Sequence, residues 1–196
     1  MLTISVLVSG GGTNLQAVID GVENHTIPNA RVARVIASNS KAYALERAKK
    51  HGIAGVVIGK ENYPDPARRT EAILAELAAA ETDLVVLAGY MSILPPELIH
   101  AYEGRIINIH PSLIPKYCGM GFYGKRVHAA VLAGGETESG ATVHYVDTGV
   151  DSGPIIVQDK VPVLADDTPD TLAARVLEVE HRILVSAIAG IARKQK

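Results

Sequence analysis

Apolar residues along the chain fall into two kinds of segment that alternate. Short, nearly continuous apolar runs such as Leu2 to Val8 are typical of strands covered on both faces. Longer segments whose apolar residues recur every three or four positions, such as Leu15 to Val22, are typical of helices. Strands are predicted at residues 2–8, 31–37, 56–58, 83–88, 105–110, 141–147 and 155–163. Helices are predicted from residue 15, at 42–51, 66–81, from 95, at 127–133 and from 169.

This order of elements predicts an α/β fold. Strands and helices alternate in the first half, which favours a parallel sheet with helices on both faces. The second half is rich in strands and loops and is expected to add antiparallel members. Thr168 followed by Pro169 predicts the start of the last helix, and Gly52 predicts the end of an earlier one.

The stretch from Arg105 to Pro115, RIINIHPSLIP, combines an apolar strand with two polar side chains. Asn108 and His110 share one face of that strand, because side chains two residues apart point the same way. Pro111 ends the strand just after His110, so the pair is predicted at a carboxyl end, where open α/β sheets bind ligands. The alternative is an ordinary core pair whose hydrogen bonds are satisfied by the protein.

A glycine-rich loop follows the first strand and leads into a helix, with the sequence SGGGTN at residues 9–14. Backbone amides at such a turn favour an anion, supported by the helix dipole. A dinucleotide is disfavoured, because Leu15 occupies the last glycine position of the fingerprint and no ribose-binding acid follows the second strand. A single phosphate at Gly11 to Asn14 fits better, and a tight turn without a ligand is the alternative.

Two other features have two interpretations each, and two acidic residues compete for one role. The apolar loop at residues 89–96 either packs in the core or lines a pocket for a flat ring. Glu180 lies close to the apolar stripe of the last helix, where its carboxylate needs either an ion-pair partner or the hydroxyl groups of a sugar. Asp147 and Asp151 both belong to a turn-rich segment, and strand alternation puts Asp147 on the face opposite His144.

Composition narrows the possible partners. The chain has 196 residues, of which 47% are hydrophobic and 20% charged, with a net charge of −2. This balance gives no reason to expect nucleic acid or an anionic membrane as a partner. One cysteine, Cys118, excludes an internal disulfide and suits a reducing cytosol, and no His, Cys or Asp cluster has the spacing of a metal site. A cytoplasmic location is therefore predicted.

Five motifs occur in an order that identifies a family. They are SGGGTNL, LAGYMSIL, INIHPSLIPKY, GATVHYVD and VDSGPII, and the likeness that they carry spans Ile4 to about Gly190. Together they resemble the phosphoribosylglycinamide formyltransferases, folate-dependent enzymes of purine synthesis. The resemblance implies formyl transfer from 10-formyltetrahydrofolate to the amine of glycinamide ribonucleotide, with no metal. It also implies one Rossmann-like formyltransferase domain over residues 1–196, with a phosphate-binding half (1–100) and a catalytic and folate-binding half (101–196).

The resemblance implies a role for each matching residue. The catalytic residues implied are Asn108, His110 and Asp151. The phosphate is expected at Gly11, Gly12, Thr13 and Asn14, and the ribose hydroxyls at Glu180. The folate is expected at Met91, Ser92, Ile93, Leu94, Val146, Asp147 and Val150. Thr142 and His144, on a neighbouring strand, are expected to support a water next to the catalytic groups.

The chain departs from the family pattern at two places. Many relatives have a proline-bearing turn and a histidine-bearing helix after HPSLLP, where this chain has KYCGMGFYGKRVH. Ser92 stands where many relatives have arginine, so contact with the glutamate tail of the folate is not expected there. Cys118 lies in the variant loop, but no activating base accompanies it in sequence, so a nucleophilic role is disfavoured.

Alternative functions remain open at the level of sequence. A methionyl-tRNA formyltransferase or a formyltetrahydrofolate hydrolase usually carries an additional domain, for which 196 residues leave no room. A non-catalytic nucleotide-binding module is a third alternative, and the presence of Asn108, His110 and Asp151 argues against it. Monomer and homodimer are both compatible with the sequence.

Overall fold

The computed structural model describes residues 1–194, which form one seven-stranded sheet flanked by six helices. The strands are β1 (Leu2–Val8), β2 (Ala30–Ala37), β3 (Ala54–Val57), β4 (Leu84–Leu87), β5 (Ile106–His110), β6 (Glu138–Tyr145) and β7 (Ile155–Pro162). The helices are α1 (Thr13–Glu23), α2 (Ala44–Lys50), α3 (Pro66–Ala79), α4 (Pro96–Ala101), α5 (Lys125–Ala133) and α6 (Pro169–Lys194).

The strand order is β3-β2-β1-β4-β5-β6-β7. The first five strands pair in parallel, whereas β5 with β6 and β6 with β7 pair antiparallel. This confirms the predicted fold, a parallel sheet in the first half extended by antiparallel strands in the second. The parallel part needs helical crossovers, and α1 to α4 provide them.

Apolar side chains from the two faces of the sheet form two separate cores. One core contains Ile107 and Ile109 together with apolar residues of α1, α5 and α6. The other contains Ile106 with apolar residues of α3 and α4. The alternation along β5 is therefore the one that the sequence predicts, and both faces of this strand are covered.

The predicted helix boundaries have the expected capping contacts. The Thr168 hydroxyl accepts a hydrogen bond from the Thr171 amide (3.2 Å) at the start of α6. Gly52 follows α2 with a φ of 67°, which suits a glycine after a helix end. Asp65 caps α3 by accepting a bond from the Ala67 amide (2.8 Å).

Strand β6 differs from the prediction at both ends. It begins at Glu138, because its pairing with β7 continues to Pro162, and it ends at Tyr145. At that end, the Tyr145 amide donates to the Pro154 carbonyl, and the amide of the next residue, Val146, donates to the Ile106 carbonyl. Asp147 therefore lies outside the strand, and strand alternation does not set the direction of its side chain. The expectation that placed it opposite His144 on that ground is wrong.

The direction of chain connection reverses between β1 and β4, which are neighbours in the sheet. The loops that leave their carboxyl ends are joined by a hydrogen bond of 2.9 Å from the Met91 amide to the Ser9 hydroxyl. Open α/β sheets bind ligands at such a reversal, so this edge is where a site is expected. Over residues 1–194, none of the helices is long and apolar enough to cross a membrane.

Candidate active site

Strands β5 and β6 place four polar side chains next to one another. In their antiparallel register Asn108 faces His144, and His110 faces Thr142. His110 and His144 are buried at the carboxyl end of β5, where Pro111 closes the strand. The sequence thus predicted the location of Asn108 and His110 correctly. The strand beside them contributes a second histidine at hydrogen-bond distance from Asn108.

The carboxylate of Asp151 lies at the centre of this group. Its Oδ1 atom is 3.4 Å from Asn108 Nδ2 and 3.6 Å from His144 Nε2. Its Oδ2 atom is 3.5 Å from His110 Nδ1 and accepts a hydrogen bond of 3.0 Å from the Gly119 amide. The structure therefore brings together the three predicted catalytic residues, although they come from a strand and from a loop about forty positions further along the chain.

The surroundings of Asp151 favour its ionised form. Burial raises the pKa of this carboxyl, but the neighbouring His144 and His110 and the Gly119 amide together bring the pKa below its usual value. Asp151 is thus available as a proton acceptor and as a partner for a cationic imidazole.

Asp147 has a different set of contacts. Its Oδ1 atom accepts hydrogen bonds from the Gly149 amide (3.0 Å) and the Ser152 hydroxyl (2.7 Å). Both donors belong to the turn that carries Asp151, whose own backbone is in the left-handed region at a φ of 55°. Asp147 therefore shapes this turn, and it also lines the wall of the adjoining cavity.

Backbone carbonyls determine the tautomers of the two histidines. His144 Nδ1 lies 2.9 Å from the Tyr145 carbonyl, and His110 Nε2 lies 3.0 Å from the Tyr117 carbonyl. A carbonyl oxygen only accepts, so each of these ring nitrogens carries a hydrogen. His144 Nε2 is then free to accept from Asn108 Nδ2 (3.2 Å), and His110 Nδ1 is the nitrogen that faces Asp151.

Thr142 is used differently from the expectation that it supports a water. Its hydroxyl donates to the Ser112 carbonyl (2.6 Å) and accepts from Gln158 Nε2 (2.8 Å) and from the Ile114 amide (3.3 Å). Thr142 therefore holds the HPSLIP loop against β6. A buried hydroxyl satisfied by these three contacts has little capacity left for a water.

A cavity of about 360 Å³ opens beside this group of polar side chains. Its wall contains Asn108, His110, His144 and Asp151, together with the loop at residues 119–124. All seven residues expected to contact a folate line it, namely Met91, Ser92, Ile93, Leu94, Val146, Asp147 and Val150. The cavity thus combines polar groups with a largely apolar rim, an arrangement typical of sites for small organic ligands.

The loop after β4 both packs in the core and lines the cavity, and the flat ring expected there stays a prediction. Leu94 is only 6% exposed and packs in the core, whereas Met91 and Ile93 are 53% and 65% exposed at the cavity rim. Exposed apolar side chains around a cavity are typical of a surface that a ligand covers.

The glycine loop after β1 has the features of an anion site. Gly12 is the N-cap residue of α1 with a φ of 72°, and no side chain caps this helix end. A side chain at Gly12 would collide with Ala44, so only glycine fits there. Arg47 Nε donates to the Gly11 carbonyl (2.8 Å) and brings a positive charge to the loop. The amides of the first turn are therefore available to a ligand.

Glu180 is paired with the same loop. Its Oε2 atom accepts a hydrogen bond of 2.6 Å from Asn14 Nδ2, so within the described residues its partner is an amide and the ion-pair alternative is wrong. Burial raises the pKa of Glu180 to about 7, and the bond from Asn14 opposes this rise. Asn14 Oδ1 is buried without a hydrogen-bond partner among residues 1–194, which leaves an acceptor for a ligand hydroxyl.

Sequence reasoning missed the groups that support the site. The Tyr117 carbonyl, the Gly119 amide and the Ser9 hydroxyl hold His110, Asp151 and the Met91 loop respectively. Two of them are backbone groups, whose position a side-chain pattern does not reveal. Burial and the charge of Asp151 raise the pKa of the Cys118 thiol, which argues against a nucleophilic role. Within residues 1–194, no three side chains of His, Cys, Asp or Glu are arranged to hold a metal ion.

Comparison with known proteins gives consistent matches. A family model described as formyl transferase matches residues 2–188. A phosphoribosylglycinamide formyltransferase of Haemophilus influenzae is 42% identical over 183 residues, which are 93% of this chain and 84% of that protein. The crystal structure of glycinamide ribonucleotide transformylase 1 from Symbiobacterium toebii is 42% identical, with a TM-score of 0.93 over 100% of this chain and 89% of that one.

A solved structure of an enzyme with a different activity shares the fold. A formyltetrahydrofolate deformylase from Pseudomonas syringae pv. tomato is 25% identical, with a TM-score of 0.88 over 99% of this chain and 62% of that one. The fold alone therefore does not separate the two activities, whereas the sequence identity is higher with the transferases.

Proposed function

The chain belongs to the formyl transferase family, and from this premise we propose that it transfers a formyl group from 10-formyltetrahydrofolate to the amine of glycinamide ribonucleotide. The product is formylglycinamide ribonucleotide, an intermediate of de novo purine biosynthesis. The observation that carries the proposal is the Asp151 carboxylate between Asn108, His110 and His144, at the inner end of a cavity with an apolar rim.

The cavity suits the proposed co-substrate. A volume of about 360 Å³ lies within the range of small-molecule sites, and the exposed side chains of Met91 and Ile93 offer contact to a planar ring. The polar catalytic groups lie at the inner end, where the reacting atoms must meet. When bound, the folate supplies the formyl carbon that the substrate amine attacks.

Asn108 is proposed as the donor to the formyl oxygen, which gains negative charge during the attack. Its amide nitrogen lies 3.2 Å from His144 Nε2 and makes a longer contact of 3.4 Å with Asp151 Oδ1. A substrate oxygen can replace the second contact at little cost. His144 thus orients the amide and leaves one hydrogen for the reaction.

His110 and Asp151 are proposed as the route for the proton that the amine loses. His110 Nδ1 faces the ionised carboxylate at 3.5 Å. A substrate nitrogen or a water can form hydrogen bonds with both atoms and so connect them. The carboxylate stabilises the imidazolium while the proton is on the ring. The same pair returns the proton to the leaving nitrogen, so that no net charge accumulates on the protein.

The nucleotide is proposed to bind along the edge between β1 and α6. The backbone amides of Gly11, Gly12, Thr13 and Asn14 take the phosphate, in the manner of a helix N-terminus. Asn14 Oδ1 and the Glu180 carboxylate then accept hydrogen bonds from the ribose hydroxyls. Each proposed subsite uses residues from both halves of the chain, 1–100 and 101–196. Met91 to Leu94, in the first half, belong to the proposed folate site, and Glu180, in the second half, belongs to the proposed ribose site.

Small molecules are the partners in this proposal, and neither a metal nor nucleic acid has a role in it. We propose the cytoplasm as the location, where the free thiol of Cys118 stays reduced. Neither binding nor formyl transfer requires a second subunit in this proposal, and both monomer and homodimer are compatible with it.

The proposal is tested by following the formyl group with purified protein. The formyl donor is supplied with glycinamide ribonucleotide, with water as the only acceptor, or with formyl-accepting tRNA charged with methionine. We expect loss of the formyl group only with the ribonucleotide. Loss with water alone would indicate a hydrolase, and transfer to the tRNA would indicate the other formyltransferase activity. Binding of the ribonucleotide without any reaction would indicate a non-catalytic module.

A further inference from the structure

The short segment from Tyr117 to Gly119 touches both members of the proposed proton route. The Tyr117 carbonyl accepts the hydrogen on His110 Nε2 at 3.0 Å. Two residues later, the Gly119 amide donates to Asp151 Oδ2 at 3.0 Å. One turn of backbone thus presents an acceptor to the histidine and a donor to the carboxylate. The orientation of both groups depends on where this segment lies.

The conformation of Tyr117 needs support from its surroundings. Its φ of 52° lies in the left-handed region, which costs free energy for a residue with a bulky side chain. Such a conformation persists only where other contacts determine it. The contacts must come from the side chain of Tyr117 and from its neighbours, since the segment belongs to no strand or helix.

Glu136 provides these contacts from the segment that follows α5. Its Oε1 atom accepts a hydrogen bond of 3.0 Å from the Tyr117 hydroxyl, and both of its oxygens lie 2.9 Å from Lys116 Nζ. The bond from Lys116 and then that from Tyr117 lower the pKa of Glu136, so that it stays a carboxylate. The Tyr117 ring also packs edge-on against Phe122, with centroids 6.1 Å apart.

Gly134 leaves the space that the Tyr117 hydroxyl occupies. Its backbone is ordinary helical, with a φ of −76°, so any residue could adopt the conformation. A Cβ atom added at this position would overlap the Tyr117 hydroxyl, however. The absence of a side chain at Gly134 therefore serves the placement of Tyr117 and not the shape of the helix end.

We propose that Glu136 is a positioning residue for the catalytic pair: it holds Lys116 and Tyr117 so that the Tyr117 carbonyl keeps the hydrogen on His110 Nε2 and turns Nδ1 towards Asp151. Glu136 acts through Tyr117 and touches neither His110 nor Asp151. The proposal builds on the proposed function, because it concerns the orientation of its catalytic groups.

Three variants disturb this arrangement in different ways. Glu136→Ala removes the acceptor, Tyr117→Phe removes the hydroxyl, and Gly134→Ala pushes the hydroxyl away. We expect each to lower kcat about tenfold, because a small misplacement of reacting groups is costly. KM for both substrates should stay within about twofold, since the substrate contacts are unchanged. Glu136→Gln keeps an acceptor without the charge, and its kcat should lie between those of wild type and Glu136→Ala.

Two matched controls make the comparison specific. Glu138, two positions after Glu136, forms an exposed ion pair with Lys160 at 2.6 Å, and within residues 1–194 neither side chain hydrogen-bonds to the Tyr117 segment. Glu138→Ala should therefore leave kcat unchanged. Gly190→Ala, in α6, controls for the Gly134→Ala exchange, because a Cβ atom added at Gly190 meets nothing within 4 Å. Thermal unfolding of all variants shows whether any of them is simply less folded.

The tautomer of His110 gives a readout that does not need activity. In ¹⁵N-labelled protein, the imidazole signals distinguish a hydrogen on Nε2 from one on Nδ1. We expect the Nε2–H form in wild type and in Glu138→Ala, and an increased Nδ1–H population in Glu136→Ala and Gly134→Ala. An unchanged tautomer and kcat in Glu136→Ala, or an equal loss in Glu138→Ala, would overturn the proposal. If wild-type protein transfers no formyl group, the proposed function fails, but the tautomer comparison still decides the role of Glu136.

Discussion

The Asp151 carboxylate is contacted by Asn108 and His110 of β5, by the Gly119 amide of the loop that follows, and by His144 of β6. This convergence is the physical reason for giving Asp151 the central role. Asp147 is only four positions earlier, yet both of its hydrogen bonds serve the local turn. At the residue scale, the contacts therefore support the reacting role proposed for Asp151 and give Asp147 a role in shaping the turn.

Replacing Asn108 tests the donor to the formyl oxygen. We expect Asn108→Ala to lower kcat by about 10²–10³, the usual cost of losing one such donor, with a much smaller change in KM. His110→Ala should likewise act mainly on kcat, because it removes the proton route. Steady-state kinetics with both substrates varied separates the two effects. Near-normal kcat with a weakened KM in either variant would identify that residue as a binding group.

Replacing Glu180 tests its shifted pKa. Its folded pKa of about 7 lies above its ordinary value of 4.5, so the folded state binds the proton more tightly. The contribution of Glu180 to the free energy of unfolding is therefore fully present at pH values below 4.5 and is lost as the pH rises through about 7. The loss is at most about 3 kcal/mol. Glu180→Gln cannot ionise and should lack this decline.

Urea unfolding at about pH 5 and about pH 8 measures this difference. We expect wild type to lose more stability than Glu180→Gln between the two pH values. Glu178→Gln, at an exposed position two residues away, is the control and should follow wild type. An equal loss of unfolding free energy between the two pH values in wild type and Glu180→Gln would contradict the assigned pKa.

At the scale of elements, β5 and β6 carry Asn108, His110 and His144, and the loops that leave β1 and β4 supply the glycine turn and part of the cavity wall. The bond between Ser9 and Met91 ties the glycine loop to the rim of the cavity. Strand–loop–helix order and the glycines were enough to predict the turn that leads from β1 into α1, and binding of an anion there stays a prediction. The partner of Glu180 was not predictable, because Asn14 lies 166 positions away and only the packing of α1 against α6 brings the two together.

Replacing Gly12 tests the glycine loop. Gly12→Ala forces a left-handed backbone on a residue with a side chain, which costs about 1–2 kcal/mol, and it adds a collision with Ala44. We expect weaker binding of inorganic phosphate and of the ribonucleotide, with folate binding unchanged. Gly10→Ala is the control, because a side chain there meets nothing within 4 Å. Calorimetric titration measures both ligands, and equal phosphate affinity in the two variants would contradict the assignment.

At the scale of the whole molecule, one continuous sheet connects the two halves of the site. The parallel half and its antiparallel extension could be predicted, because strand-like and helix-like segments alternate in the first half and strands and loops dominate the second. The tautomers of His110 and His144, the use of Thr142 and the end of β6 could not be predicted. Each depends on a backbone group or a pairing register that only the folded sheet determines.

The assignment of the proton route is tested most directly by comparing Asp151→Asn with Asp147→Asn in a single turnover. Rapid-quench measurement of formyl transfer to glycinamide ribonucleotide, with both substrates bound at saturation, isolates the chemical step. We predict that Asp151→Asn binds both substrates but loses most of the transfer rate, because an amide cannot take the proton. Asp147→Asn keeps an acceptor for Gly149 and Ser152 and should retain most of the rate. An active Asp151→Asn beside an inactive Asp147→Asn would contradict the assignment.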